Sequence, residues 1–266
     1  MLQENLVHIK VLCGQTMLDF ALYIARKAGD FISDQIRTDL DIEHKGRIDL
    51  VTNVDRESQR IITRGIEAKF PRHSIVSEEA FVRKKKGEFT WYIDPLDGTT
   101  NFVHALPEFC VSVALYLGDE PYVGVCYKPL TKDAFYAVKG KGAFMNDRRI
   151  RVSMTSTLVD ALLSTGFPYE VDNLDVILQR FSRVLRHAQG VRRLGSAALD
   201  LCYVACGIFD GFWEQGLKPW DMAAGALIVQ EAGGRVSLFN GSGFDLFKAE
   251  ILATNNRLHD ALSKLL

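Results

Sequence analysis

The sequence predicts a mixed α/β protein whose first half is α+β with an antiparallel sheet and whose second half is α/β with a mixed sheet. An amphipathic stripe near the N-terminus predicts a long first helix. Strand-like runs between residues 90 and 152 are separated by Gly, Asp and Pro, which is typical of an antiparallel meander. After about Ser153, strand-like and helix-like segments alternate. Since no linker, repeat or low-complexity tract intervenes, we expect two tightly joined halves, 1–152 and 153–266.

Two helices are predicted before the meander. The second should run from Asp55 to Phe70 and end there because the residue before Pro71 avoids the helical conformation. Asp55 then lies at a helix start, where the positive end of the helix dipole stabilises a carboxylate. The first helix carries apolar or small residues at three- and four-residue steps, namely Leu18, Leu22, Ala25, Gly29, Ile32 and Ile36.

Alternating and β-branched patterns predict the remaining elements. A helix after Lys218 is marked by Pro219 in its first turn and by Gly233 and Gly234 at its end. The predicted strands are 48–52, 74–77, 91–93, 111–117, 122–127, 134–138, 149–152, 161–165, 209–213 and 251–254, and the predicted later helices are 173–188, 196–206, 220–232 and 256–265.

The most informative segment is 91–102, WYIDPLDGTTNF, in which a strand-like run stops in a turn that carries Asp94 and Asp97. Gly98, Thr99 and the following residue offer consecutive backbone N–H groups where a short helix could begin, which is a geometry that receives phosphate. Carboxylates suited to cations and amides suited to an anion thus share one loop. An alternative interpretation is a structural turn in which Asp97 caps the short helix.

Further acidic residues also end strand-like or apolar segments, which favours a metal site over a purely structural turn. They are Asp55, the pair Glu78 and Glu79, and Asp221. Magnesium prefers oxygen ligands in octahedral geometry, so scattered carboxylates with a backbone carbonyl suit it better than zinc.

Composition restricts the class of partner. The chain has 32 Lys and Arg against 33 Asp and Glu, a formal net charge of −1, so no global basic field would recruit nucleic acid or an anionic membrane. Five cysteines without zinc-ligand or redox-pair spacing indicate reduced thiols and a cytoplasmic location. We expect neither a signal peptide nor a membrane span.

The chain resembles the inositol monophosphatases, of bacterial type, within the lithium-sensitive, magnesium-dependent phosphatase superfamily. The resemblance covers nearly the whole chain. It is carried by the segments ARKAG (25–29), IDLVTNVD (48–55), SEE (77–79), IDPLDGTTNF (93–102), RRLGSAALDL (192–201), WEQGLKPWD (213–221), PWDMAAG (219–225) and EAGG (231–234). The resemblance implies a layered αβαβα sandwich, a homodimer to which the strand at 109–117 contributes interface, and inhibition by lithium.

The same resemblance implies a set of metal-site and substrate residues. Two or three Mg²⁺ ions per subunit would be held by Glu78, Asp94, the Leu96 carbonyl, Asp97 and Asp221. Asp55 and Thr99, with Glu78, would be catalytic, and Glu79 and Lys45 would support the site. The implied substrate-binding residues are Asp97, Gly98, Thr99, Gly195, Ser196, Ala197, Glu214 and Asp221.

The resemblance therefore implies a Mg²⁺-dependent phosphatase that hydrolyses inositol 1-phosphate or a similar small polyol phosphate with a metal-activated water. Within the superfamily, the alternatives are fructose 1,6-bisphosphate, histidinol phosphate or a nucleotide 3′-phosphate as substrate. An alternative of another class is a regulatory binding protein with vestigial catalysis that uses the basic loop 83–86, which otherwise is a solvated loop. The pair Arg192-Arg193 stays ambiguous, because it precedes the implied substrate-contacting turn.

Overall fold

The structure, a computed structural model, describes residues 2–46, 48–79, 82–83, 88–168 and 174–266, with side chains from residue 16 onward except at 82–83. It contains helices and strands in both halves of the chain. The helices are α1 (Leu2–Gln35), α2 (Asn53–Lys69), α3 (Thr99–Val103), α4 (Leu174–Leu185), α5 (Ala197–Ala205), α6 (Pro219–Glu231) and α7 (His259–Ser263). The strands of the first half are β1 (Ile42–His44), β2 (Leu50–Thr52), β3 (Ser74–Ser77), β4 (Val82–Arg83), β5 (Phe89–Asp97), β6 (Cys110–Leu117), β7 (Glu120–Lys128), β8 (Asp133–Val138), β9 (Gly142–Met145) and β10 (Arg148–Ile150). Those of the second half are β11 (Leu162–Thr165), β12 (Gly190–Arg192), β13 (Gly211–Gln215), β14 (Arg235–Ser237) and β15 (Glu250–Thr254).

The larger sheet has eight strands in the order β10-β9-β8-β7-β6-β5-β3-β4. Its neighbours are antiparallel except for the parallel pair β3 and β5. Because β3 and β5 run in the same direction, their carboxyl-terminal ends lie side by side, with Ser77 paired to Ile93. This pairing brings the Glu78-Glu79 segment next to Asp94.

The smaller sheet has five strands in the order β12-β11-β13-β15-β14 and is mixed, as predicted for the second half. Alternate residues of one strand enter different clusters: Phe212 packs with α5 and α6, whereas Trp213 packs with residues of α4 and α7. Helices α1 and α2 cover the outer face of the larger sheet, and α6 contacts its inner face. The layers therefore follow the order αβαβα, which confirms the predicted sandwich.

The stripe on the first helix is confirmed, since Leu18, Ala25 and Ile32 are buried in the cluster between α1 and the larger sheet. Helix α6 is buried nearly all along its length because it lies between the two sheets. Its cluster joins residues from both halves of the chain. The division at residue 152 stays a prediction.

Several local predictions were wrong. β5 does not stop before Asp94 but continues to Asp97 with a register shift between these two residues, because the bulged segment still pairs with β6. The second helix begins at Asn53 with Thr52 as its cap, two residues earlier than predicted. The last helix is shorter than predicted, and the strands β1, β9, β12 and β14 were missed because three- and four-residue strands carry too little periodicity.

Strand β6 cannot provide the predicted dimer surface. It lies between β5 and β7, and all its residues but the last are buried. The apolar run therefore serves the core of the subunit, and this prediction was wrong.

No helix in the described ranges is both long and apolar enough to cross a membrane. Residues 80 and 81 and residues 84–87, which include most of the basic loop, lie outside the described part of the chain.

Candidate active site

The end of strand β5 forms the centre of the site. Asp94 is only 3% exposed, and its Oδ1 accepts a hydrogen bond of 3.0 Å from the Leu96 backbone N–H. The Leu96 carbonyl in turn lies 3.1 Å from the Thr99 hydroxyl. The register shift between Asp94 and Asp97 lets the chain present two carboxylates and one carbonyl within four residues.

Gly98 connects this segment to helix α3. Its φ of 92° lies in the left-handed region, and a Cβ atom here would lie 2.8 Å from the Glu108 carbonyl oxygen. Only glycine meets both conditions without strain. Helix α3 then begins at Thr99, as predicted, but Gly98 rather than Asp97 occupies the capping position, so the alternative prediction that Asp97 caps this helix was wrong.

The Asp55 carboxylate joins helix α2 to this loop. It is fully buried and accepts hydrogen bonds from the Thr52 N–H at 2.8 Å, from the Thr52 hydroxyl at 2.5 Å and from the Thr99 hydroxyl at 2.8 Å. Burial raises the pKa of Asp55, although the hydrogen bonds from Thr52 and Thr99 oppose the rise. A buried carboxylate with a raised pKa beside a hydroxyl can accept a proton from it.

Glu78 and Glu79 follow strand β3 and share one cation. Lys45 Nζ lies 3.0 Å from Glu78 Oε1 and also contacts Glu79. Burial lowers the pKa of Lys45, but the two carboxylates outweigh burial and raise the pKa overall. Burial raises the pKa of Glu78 to about 7, and Lys45 opposes that rise.

Asp97 joins the central loop to the second half of the chain. Its Oδ2 accepts hydrogen bonds from the Ser196 hydroxyl at 2.5 Å and from the Ala198 N–H at 2.8 Å. Ser196 is the N-cap of helix α5 and also accepts from the Leu199 N–H. Asp97 therefore stabilises the first turn of α5, yet burial still raises its pKa to about 6.

Asp221 and Glu214 come from helix α6 and strand β13. Asp221 Oδ2 accepts a hydrogen bond of 2.7 Å from the Lys218 N–H in the first turn of α6, and burial raises its pKa well above the usual range. Burial raises the pKa of Glu214 to about 8, while Arg193 opposes the rise and Asp97 adds to it.

One cleft of about 250 Å³ brings most of the predicted residues together. Three others lie directly behind its wall: Asp55 contacts Thr99, Glu79 contacts Lys45, and Ser196 contacts Asp97. The predicted residues that line the cleft are Lys45, Glu78, Asp94, Leu96, Asp97, Gly98, Thr99, Gly195, Ala197, Glu214 and Asp221.

Sequence reasoning missed part of the wall. Arg193, left ambiguous above, lines the cleft, and so do residues that no prediction included, namely Asp49, Gly166, Phe167, Pro168, Gly216, Leu217, Lys218 and Trp220. Lys218 and Trp220 precede Asp221 in a recognised motif and could have been inferred from it. The segment 166–168 reaches the cleft only because β11 lies beside β13, which no local pattern reveals.

The donors of the cleft fit a hard divalent cation by their chemistry and charge. Burial raises the pKa of Asp94 well above the usual range, and the nearby Glu78 and Asp97 charges raise it further. Uncompensated carboxylates at this depth need a cation partner. Among the described residues, no three His, Cys, Asp or Glu side chains already surround a single point closely enough to hold an ion.

Comparison with known proteins identifies the family. Residues 14–266 match the model of the inositol monophosphatase family, which is nearly the whole chain. The chain belongs to the inositol monophosphatase family. This assignment confirms the resemblance derived from the motifs, supports a phosphatase, and places the chain in a family that is generally metal-dependent.

Relatives carry two kinds of name. An inositol-1-monophosphatase of Synechocystis is 46% identical over 255 residues, covering 95% of this chain and 89% of the relative. The Nus factor SuhB of Pseudomonas aeruginosa is 45% identical over 256 residues, covering 93% of this chain and 94% of the relative. Sequence identity at this level therefore does not separate the two names.

Solved structures share the fold over most of their length. The extragenic suppressor protein suhB of Bartonella henselae superposes with a TM-score of 0.91 at 37% identity, covering 94% of this chain and 98% of that one. An inositol monophosphatase from Anabaena gives a TM-score of 0.85 at 41% identity, with 94% and 95% covered. These values confirm the layered arrangement.

Proposed function

We propose that the protein hydrolyses inositol 1-phosphate, or a similar small polyol phosphate, to the polyol and inorganic phosphate with the help of Mg²⁺. The observation that carries this proposal is the convergence of four carboxylates, Glu78, Asp94, Asp97 and Asp221, beside the Asp55–Thr99 pair at one cleft. Burial raises the pKa of all four carboxylates despite their hydrogen-bond and ion-pair partners, and a bound cation would compensate their charge.

Two or three Mg²⁺ ions per subunit would be held by oxygen donors alone. The first would use Glu78, Asp94 and the Leu96 carbonyl, and the second would use Asp94, Asp97 and Asp221. Glu78 with waters would hold a third, weaker ion, while Glu79 and Lys45 keep Glu78 in place. When bound, the ions supply positive charge that stabilises the charge on the phosphate oxygens in the transition state.

Asp55 and Thr99 would orient the attacking water and remove its proton. The Thr99 oxygen can accept a proton from water while its own hydrogen passes to Asp55 Oδ1, 2.8 Å away. The raised pKa of Asp55 favours this transfer, because a less acidic carboxyl group is a stronger base. No covalent nucleophile is required.

The substrate would lie between the two halves of the chain. Backbone N–H groups at Gly98 and Thr99 would contact the phosphate, and the turn at Gly195 to Ala197, with Ser196, would hold the polyol. On the polyol side, Glu214 would accept hydrogen bonds from hydroxyl groups, helped by Asp97.

A panel of phosphorylated substrates tests the proposal. Inositol 1-phosphate, fructose 1,6-bisphosphate, histidinol phosphate and a nucleotide 3′-phosphate would be compared with Mg²⁺ and with chelator, with Asp94→Asn as the inactive control. We expect Mg²⁺-dependent release of phosphate with the highest kcat/KM for the inositol phosphate. A higher kcat/KM for another member of the panel would change the proposed substrate but leave the proposed phosphatase reaction standing.

A second candidate is a regulatory binding protein, and it is favoured by the relatives named Nus factor SuhB. The two candidates are separated by Asp94→Asn, which should abolish hydrolysis without affecting a binding function on another surface. Loss of the cellular function together with hydrolysis in this variant would support the enzyme, whereas a cellular function that survives the loss of hydrolysis would support the binding protein.

The proposal also covers the compartment, oligomeric state and partners of the protein. We infer a cytoplasmic homodimer that binds neither membrane nor nucleic acid. In the described side chains, Cys110, Cys126, Cys202 and Cys206 are free thiols, which supports a reducing compartment.

A further inference from the structure

A second carboxyl group, Asp200, lies buried close to Glu214 and has no place in the mechanism above. Asp200 belongs to helix α5 and is only 1% exposed. Within the described chain, its Oδ1 and the Oγ of Ser164 are the buried side-chain oxygen atoms that have no hydrogen-bond partner. Unpartnered polar atoms at this depth are costly, so a pair of them beside a functional residue calls for an explanation.

The strand register places the three groups on one face. In the parallel pair of β11 and β13, Ser164 lies opposite Phe212 and Thr165 opposite Trp213, so Gly166 continues the register next to Glu214. Because side chains alternate along a strand, Ser164 lies on the same face as Phe212 and Glu214. Helix α5 covers this face of the smaller sheet, since Phe212 packs in one cluster with its residues. Asp200 therefore faces Ser164 and Glu214 from the helix above.

Gly166 leaves the space that the Glu214 side chain occupies. A Cβ atom at position 166 would overlap both oxygen atoms of the Glu214 carboxylate. The carboxylate thus lies against bare backbone on one side. Polar groups on its other sides, Arg193 among them, can therefore fix its orientation.

The electrostatic surroundings of Asp200 agree with a neutral carboxyl group. Burial raises the pKa of Asp200 well above its usual range, the charges of Glu214 and Asp97 raise it further, and Ser164 and Arg193 oppose the rise. A neutral carboxyl group is a hydrogen-bond donor as well as an acceptor. It can therefore donate to the Ser164 hydroxyl and leave the hydrogen of that hydroxyl free to turn toward Glu214.

We propose that Asp200 and Ser164 are positioning residues that orient Glu214 for recognition of polyol hydroxyl groups. The inference rests on the proposed function, because it assigns Glu214 to the leaving group. Neither residue would touch the substrate or a metal ion. Their effect should therefore be confined to substrates that carry hydroxyl groups for Glu214 to bind.

The test compares Asp200→Ala, Asp200→Asn and Ser164→Ala on inositol 1-phosphate and on 4-nitrophenyl phosphate, which lacks such hydroxyl groups, at saturating Mg²⁺. We expect Asp200→Ala and Ser164→Ala to lower kcat/KM for inositol 1-phosphate about 10-fold, mainly through a higher KM. For 4-nitrophenyl phosphate, kcat/KM should change less than about 2-fold. Asparagine keeps the donor and the shape, so Asp200→Asn should stay within about 3-fold of the wild type. In the Glu214→Gln background, Asp200→Ala should add less than about 2-fold.

Melting temperatures of all variants identify a folding defect. If Asp200→Ala does not fold, Ser164→Ala alone tests the proposal, since the same selective loss of kcat/KM for inositol 1-phosphate is expected of it. Equal losses on both substrates, or an undiminished effect of Asp200→Ala in the Glu214→Gln background, would overturn the positioning role and leave the proposed function standing. A wild-type protein that hydrolyses neither substrate would overturn the proposed function and this inference together.

Discussion

Thr99 and Asp55 are 44 residues apart in sequence, yet the Thr99 hydroxyl lies 2.8 Å from Asp55 Oδ1. The bond crosses from the start of α3 to the first turn of α2, and both residues are buried. The same Asp55 carboxylate completes the capping box with Thr52, so its orientation is fixed before substrate arrives. A buried carboxylate and the hydroxyl that donates to it are thus preorganised next to the acidic cleft, as the proposed proton transfer requires.

The first prediction concerns this pair. Thr99→Ala should lower kcat by about 10² to 10⁴-fold, the usual contribution of general base catalysis, with little change in KM. Thr99→Ser keeps the hydroxyl and should retain activity within about 10-fold. Steady-state kinetics at saturating Mg²⁺ would check both variants. A Thr99→Ala enzyme as active as Thr99→Ser would show that the hydroxyl takes no part.

The second prediction concerns the central carboxylate Asp94. Asp94→Asn should abolish turnover and weaken Mg²⁺ binding, while the metal-free variant should be at least as stable as the wild type. The reason is that the substitution removes a buried carboxyl group whose ionisation is unfavourable, since burial and acidic neighbours raise the pKa of Asp94. Calorimetric titration with Mg²⁺ and thermal unfolding in chelator would measure the two effects. A variant that unfolds would instead support a structural role for this carboxylate. As a comparison, Li⁺ should inhibit the wild type.

The third prediction is a pH dependence of the metal-free protein. The pKa values of Glu78 and Glu214 are raised to about 7 and about 8, so between their unfolded values near 4 and these values the folded state binds more protons than the unfolded state. The free energy of unfolding should therefore fall as pH rises, here by about 1–2 kcal/mol from pH 6.5 to 8. His259, whose pKa is lowered to about 4 by burial, acts in the opposite direction, but between pH 6.5 and 8 it offsets only about 0.4 kcal/mol because most of its effect lies at lower pH.

Thermal unfolding in chelator at several pH values would measure this fall. Mg²⁺ at about 100 times its dissociation constant should raise the stability by about 2.7 kcal/mol, because it binds only the folded state. It should raise stability most at the alkaline end, where the carboxylates are ionised. A stability that rises with pH in chelator would contradict the prediction.

The fourth prediction concerns the leaving group. Above pH 8, where Glu214 is ionised, Glu214→Gln should lower kcat/KM for inositol 1-phosphate by about one to two orders of magnitude, since hydrogen bonds to a charged acceptor contribute about 1.5–3 kcal/mol. Hydrolysis of an aryl phosphate should change little. Parallel kinetics on the two substrates would decide, and equal losses would assign Glu214 to the metal scaffold.

The fifth prediction is a homodimer. Light scattering at micromolar concentration should give about twice the chain mass of 29.8 kDa. Since β6 is interior, the surface that joins the subunits must lie elsewhere. A mass equal to that of one chain would remove the dimer from the proposal.

The sequence by itself determined most of the longer elements and the loop at the centre of the candidate site. The stripe on α1, the Pro219 start of α6 and the motif around Asp94 and Asp97 are local patterns, and local physical chemistry was sufficient to place them. The segment boundaries of β6, β7 and β8 also followed from turn residues, because hairpin turns have strong local preferences.

Tertiary structure decided how these pieces meet. Only the parallel pairing of β3 with β5 brings Glu78 beside Asp94. Only the packing of α5 against the end of β5 allows the Ser196 hydroxyl to donate to Asp97. Likewise, Gly166 and Asp200 are neighbours of Glu214 only because β11 pairs with β13 and α5 packs on this sheet. The physical reason is that strand order and helix docking depend on contacts between residues far apart in sequence, which no local periodicity records.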